Sequence, residues 1–176
     1  MNHLPMRIRS GLCLLALALT MAACAQRDDD TIVVGLSADI TTFEPGMISS
    51  RDNANIARHI FSGLFSLGAD GEHIPSLAHT LEITEDGTGY IYTLEEGLTC
   101  HDGEPLTADD VAYTFNRIAD PANRFTGNSP GFVFTSIGFQ HAEALDDLRV
   151  QINIARRNPI AFGLMTEIYV HCKDSY

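Results

Sequence analysis

Residues 75–115, PSLAHTLEITEDGTGYIYTLEEGLTCHDGEPLTADDVAYTF, place two turns, two strands and a helix in one continuous run. Leu81 and Ile83 alternate with Glu82 and Thr84, the period of a half-buried strand. Glu85-Asp86-Gly87 supplies turn chemistry, because Gly accepts a positive φ and Asp bonds nearby backbone. Tyr90, Tyr92 and Leu94 share one parity and form the returning strand. His101-Asp102-Gly103-Glu104-Pro105 is a second turn. Thr107 suits an N-cap, with Asp110 as the reciprocal partner of a capping box. Ala108, Val111, Ala112, Phe115 and Ile118 follow at helical spacing and give one apolar face.

Outward from that run the pattern continues. Residues 31–38 read as a Val-rich strand, 39–52 as a loop, and 53–64 as a helix with Ile56, Ile60 and Leu64 inward. Asp120-Pro121 breaks the helix after Ala119 and opens a polar loop to residue 131. Residues 138–145 and 148–154 read as a hairpin, and Asn158 with Pro159 starts a last helix. The chain thus carries both strands and helices.

Composition narrows the function. The formal charge is −12, which opposes nucleic-acid binding and favours solubility. Gly127-Asn128-Ser129-Pro130-Gly131 fits the nucleophile-elbow pattern Gly-x-Ser-x-Gly. The elbow needs a strand before the serine and a backbone N–H after it. Residues 121–126 do not read as a strand and Pro130 has no N–H, so this stretch is expected to be a loop. His73, His79 and His101 lack metal-ligand spacing, and His101-Asp102 reads as part of a turn. No catalytic residue, metal site or cofactor is assigned. Cys100 and Cys172 stand as free buried thiols by default, or as a disulfide in an oxidising compartment.

The order of parts resembles the family-5 solute-binding proteins of ABC transporters, the peptide and nickel binders. Pro75-Ser76-Leu77-Ala78, Asp86-Gly87, Asp102-Gly103-Glu104-Pro105 and Thr107-Ala108-Asp109-Asp110-Val111 carry that likeness. Thr42-Phe43-Glu44-Pro45, Ile60-Phe61-Ser62-Gly63-Leu64 and Asp146-Asp147 extend it. Glu95, Cys100 and Leu81 depart from it, standing where Arg, an aromatic and Trp are usual. The resemblance implies an α+β, periplasmic-binding-protein-like fold of type II with an inserted domain, of which this chain is the N-terminal part. Residues 31–45 would open the first ligand-binding lobe, 46–165 form the inserted domain, and 166–176 return towards the lobe. The second lobe lies outside the chain, which is therefore expected to be a fragment or a truncated product that binds peptides weakly by itself.

The resemblance also implies ligand contacts in the loop after the first strand. These are Thr42, Phe43, Ser49 and Arg51, joined by Phe125 from the inserted domain. Phe43 would pack on a ligand side chain and Arg51 pair with a carboxylate; as blander alternatives, Phe43 is core and Arg51 a solvated charge. The implied role is capture of di- or oligopeptides for a membrane permease and its ATPase, without chemistry. Nickel or another solute is the alternative within the family. A non-binding lipoprotein acting as an interaction module is the alternative outside it.

The N-terminus sets the compartment. Arg7 and Arg9 precede an apolar run over residues 12–19, too short to span a bilayer. Met21-Ala22-Ala23-Cys24 reads as a lipobox, which makes residues 1–23 a lipoprotein signal peptide and Cys24 the lipidation site; the alternative is an ordinary signal peptide cut after an Ala-x-Ala-like site, with Cys24 incidental. Residues 24–30 form an acidic tether. The expected location is extracytoplasmic, anchored to a bacterial membrane by lipid.

Overall fold

The computed structural model describes residues 31–174. The expected signal peptide, the expected lipidation site Cys24 and the expected tether lie outside the described residues. The chain divides after Leu36 into two units, each taken by itself. Residues 31–36 form no regular element, and the expected strand over 31–38 is not made. Val33 is 88% exposed, and among the described residues no β-ladder includes the segment. Without a ladder partner, a Val-rich run has neither the hydrogen bonds nor the burial that favour a strand.

In the second unit, β4 (Gly89–Leu94) shows why the sheet forms where it does. Tyr90, Tyr92 and Leu94 are all buried, as their shared parity requires. β4 pairs antiparallel with β3 (Ala78–Ile83) on one side and β6 (Arg149–Ile154) on the other. β5 (Phe139–Ala144) completes the order β3-β4-β6-β5. The register sets Tyr92 opposite Val150 and Tyr90 opposite Ile152, so their apolar side chains share one face. A two-stranded ribbon, β1 (Phe65–Leu67) with β2 (His73–Pro75), stands apart from this sheet. At the outer end of edge strand β3, Ile83 stays 51% exposed, so the expected half-buried alternation holds only at Leu81.

The turn between β3 and β4 is locally determined. Gly87 adopts φ 72°, and the Asp86 carboxylate accepts from Thr88 N–H at 3.0 Å and from the Thr84 hydroxyl at 2.6 Å. Those bonds, led by the one from Thr84, hold the Asp86 carboxyl down at about 2.

The long helix α2 (Ala108–Ala119) packs against β5 and β6. The expected capping box forms: the Asp110 carboxylate accepts from Thr107 N–H at 2.8 Å. Val111, Phe115 and Ile118 are fully buried against the sheet core. Asn116 reaches the open edge of β5, donating to Ala142 O at 2.7 Å and accepting from Ala142 N–H at 2.9 Å. One amide thus pairs an edge that would otherwise be left to water or to another strand.

Four local expectations are corrected. The helix expected over 53–64 is α1 (Arg51–Ala57), capped by the Ser50 hydroxyl. It stops early because residues 62–64 pair elsewhere: Ser62 O accepts from Val170 N–H, Gly63 O from Leu77 N–H, and Leu64 O from Ala78 N–H. Leu64 is buried as expected, but Ile60 is 38% exposed and Asn53 and Ala57 form the inward positions of α1. The polar loop expected to residue 131 includes a 3-10 turn, Pro121–Asn123, and runs into a π-helix, Ser129–Phe134, and a short α3 (Thr135–Ile137). The last helix, α4 (Ala161–Met165), begins two residues after Pro159, although Asn158 still accepts from Ile160 N–H. Finally, Cys100 and Cys172 are not free thiols but a disulfide across a sequence separation of 72.

Candidate functional site

The segment before α1 is positioned by polar bonds rather than by a sheet. Asn53, buried in the first turn of α1, donates to Thr41 Oγ1 at 3.0 Å and to Thr42 O at 3.4 Å. The Thr42 hydroxyl accepts from Glu44 N–H at 3.0 Å. Glu44 then caps the 3-10 turn Pro45–Met47 by accepting from Gly46 N–H at 3.2 Å.

Glu44 is the hub of the site. Arg117, from the last turn of α2, meets it in a two-pronged pair at 2.9 and 2.8 Å. Both side chains are about four-fifths shielded. Burial by itself pushes the Glu44 carboxyl up. The bonds from Arg117 and Gly46, with the charges of Arg117 and His171, outweigh it and leave the group below its usual range. The Arg117 guanidinium also lies 4.8 Å from the centre of the Phe125 ring. Gly46 meets the same ring so closely that a Cβ there would fall 2.6 Å from Phe125 Cγ.

His171 arrives from the segment after α4. Thr114 of α2 takes both of its backbone groups, accepting from His171 N–H at 2.9 Å and donating to His171 O at 3.0 Å. Its ring lies 5.1 Å from that of Phe61, and its Nε2 stands 4.0 Å from Glu44. Burial pushes the imidazole down to about 4, so it is neutral at physiological pH.

These groups border a cleft of about 510 Å³. Val170 and His171 are buried in its wall beside half-buried Phe61, Phe43 stands 53% exposed at its rim, and the disulfide closes one side. The lining offers apolar contact and a neutral imidazole, while Arg117 engages both oxygens of the Glu44 carboxylate. That chemistry suits holding a side chain. Among the described residues no group of three His, Cys, Asp or Glu is placed to hold a metal ion. Ser129 opens a π-helix with no strand directly before it, which is not the geometry of a nucleophile elbow.

Of the five expected contact residues, only Phe43 lines this cleft. Thr42 and Phe125 support its neighbours, through Glu44 N–H and through Arg117 with Gly46. Ser49 and Arg51 are exposed at the start of α1 and outside the cleft lining. Sequence reasoning missed Glu44, Phe61, Arg117, His171 and the role of the cysteine pair. A local signal existed only for Glu44, whose place before Pro45-Gly46 is that of a cap.

The chain is similar to the glutathione-binding protein GsiB of Escherichia coli K12, 30% identical over 147 residues, which cover 83% of this chain and 28% of that protein. The oligopeptide-binding protein OppA of Bacillus subtilis is 29% identical over 93 residues, 53% of this chain and 17% of the relative. Among solved structures, the ABC transporter substrate-binding protein CtaP of Listeria monocytogenes superposes with a TM-score of 0.68 at 30% identity, covering 82% of this chain and 28% of that one. NikZ of Campylobacter jejuni, in complex with Ni(L-His), gives 0.70 at 23% identity over 81% and 28%. The chain thus spans less than a third of the length of these relatives, and its α+β fold is that of part of a family-5 periplasmic binding protein. Residues 72–175 match the family model described as bacterial extracellular solute-binding proteins, family 5, middle. The chain belongs to family 5 of the bacterial extracellular solute-binding proteins.

Proposed function

We propose that the protein captures di- or oligopeptides outside the cytoplasmic membrane and delivers them to an ABC permease driven by its ATPase. In this reading Cys24 carries the lipid that holds it near the permease and raises its effective concentration there. Residues 31–45 open the first lobe, 46–165 form the inserted domain and 166–176 lead back. The observation that carries the reading is the cleft between Phe43, Phe61 and His171 on a family-5 frame. Phe43 packs on a peptide side chain, Thr42 and Phe125 hold that wall in place, and Ser49 and Arg51 are outer polar contacts. Arg51 pairs with a carboxylate. Nothing in this role requires a reaction: ligand favours the closed form only by its differential affinity for it.

The test is native mass spectrometry of the protein taken from the extracytoplasmic fraction, followed by unfolding titrations with the solute found. A true ligand at 100 times its Kd raises stability by about 2.7 kcal/mol. Phe43→Ala should remove most of that gain while leaving the unliganded protein as stable as before, because Phe43 is half exposed. Retention of a nickel–histidine complex, with no response to peptides of two to five residues, would replace the peptide reading. Cys24→Ala should release the protein from the membrane fraction.

A further inference from the structure

We propose that the Cys100–Cys172 disulfide is a redox-sensitive positioning element of the ligand cleft, so that solute binding and the oxidation state of this pair are thermodynamically coupled. The two cysteines come from segments with unequal anchorage. The Cys172 side is held independently. Val170 N–H donates to Ser62 O at 2.9 Å, Thr114 takes both backbone groups of His171, and Lys173 N–H donates to Asp110 Oδ1 at 2.8 Å.

The Cys100 side is a turn whose backbone bonds close on itself. Cys100 N–H donates to Glu104 O at 2.8 Å, Gly103 N–H to Cys100 O at 3.1 Å, and Thr99 bridges Pro105. Residues 101–105 are exposed. The disulfide, with Cα atoms 6.1 Å apart, fastens this turn to the anchored segment that carries Cys172. Thr99, Cys100 and His101 line the cleft on one side of the bond, and His171 and Cys172 on the other. Cutting it therefore loosens one wall of the cleft and leaves the sheet and α2 in place.

Both cysteines are half-buried on the cleft wall, so a small dithiol can reach the bond from solvent and a solute in the cleft would shield it. The step balances with such a dithiol as the reductant. Its thiolate attacks one sulfur, the S–S bond breaks, and a mixed disulfide forms. The second thiol resolves that intermediate, giving two cysteine thiols and the oxidised dithiol. If reduction weakens solute binding, linkage requires the solute to stabilise the disulfide by the same factor.

The first experiment is hydrogen exchange of the full chain, oxidised, reduced with dithiothreitol, and as the Cys100→Ser/Cys172→Ser double variant. The amides of residues 99–106 should exchange at least tenfold faster in the latter two, with β4 changed less than threefold. An equal rise in β4 would show a merely global stabiliser, and no rise over 99–106 would show that the turn needs no staple; either overturns the inference. The second experiment titrates the tripeptide Ala-Phe-Ala and rests on the peptide reading above. Binding about tenfold weaker after reduction, with a reduction potential about 30 mV more negative in saturating peptide, supports the coupling. Equal affinity for both forms overturns it. Binding to neither form agrees with the weak peptide binding expected of this chain by itself, and hydrogen exchange then decides the fate of the staple.

Discussion

Replacing His171 with Gln should change how stability depends on pH, by an amount that follows from burial. The side chain is only 5% exposed, and the imidazole is pushed from 6.5 to about 4, by burial first. Glu44 pulls the value back up and Arg117 pushes it further down. A base with a depressed native pKa stabilises the fold fully above its unfolded value. That contribution is lost as pH falls towards the native value, because the unfolded chain takes up a proton that the native state refuses. The window is therefore pH 6.5 to 4, with a slope approaching 1.4 kcal/mol per unit. Between pH 7.5 and 4.5 the wild type should lose about 2.5 kcal/mol that His171→Gln does not. Stopping at pH 4.5 keeps the comparison above most of the titration of Glu44, whose carboxyl lies below its usual range. Urea unfolding of both proteins at half-unit steps reads the difference from midpoints and slopes. Whatever the offset at neutral pH, the wild-type curve should fall more steeply on acidification than that of His171→Gln. Parallel curves would show that the imidazole is solvated, against the 5% exposure from which the prediction is worked.

Arg117→Met should cost about 2–3 kcal/mol at pH 7, the penalty of an unpaired buried carboxylate reduced for its one-fifth exposure. With the arginine gone, burial dominates Glu44 and raises its carboxyl, so denaturation midpoints of variant and wild type should approach each other as pH falls from 6 to 4. Phe115→Ala removes a fully buried ring that lies within 6.1 Å of those of Phe134 and Phe139, and should cost about 3–5 kcal/mol with an unchanged denaturant slope. Thr107→Ala keeps the backbone donor to Asp110 but loses the hydroxyl. It should cost about 1 kcal/mol by thermal unfolding, whereas a loss above 3 kcal/mol would mean that the residue does more than cap α2.

How much of this was legible depended on whether a residue's partner was near in sequence. Tyr90, Tyr92 and Leu94 announce their strand because one face is buried along its whole length, and period two records that directly. The face of α2 is legible for the same reason, and the Thr107–Asp110 cap because both members sit within one turn. Residues 53–64 look helical because their apolar spacing is helical. The backbone of residues 62–64 has stronger claims on it from 77, 78 and 170, and no local pattern contains those. The π-helix at Ser129–Phe134 was hidden by Gly and Pro, which usually mark loops.

The site is the extreme case of the same rule. Glu44 and Arg117 are 73 residues apart, Thr114 and His171 57, and Cys100 and Cys172 72. Each pair joins segments whose local sequences are ordinary: a cap before proline, a helix interior, a turn, a chain crossing. The frame of the cleft is fixed mostly through backbone groups, such as both polar groups of His171 on Thr114 and Val170 N–H on Ser62 O. The rim residue that would meet a solute, Phe43, projects with half its surface free. Because the frame relies little on the identity of that rim side chain, substitution there should leave the fold undisturbed, and in the proposed reading it would retune what the cleft accepts. A fold can therefore be recognised from its turns and faces while its ligand stays unread, since the residues that carry recognition are the ones packing constrains least.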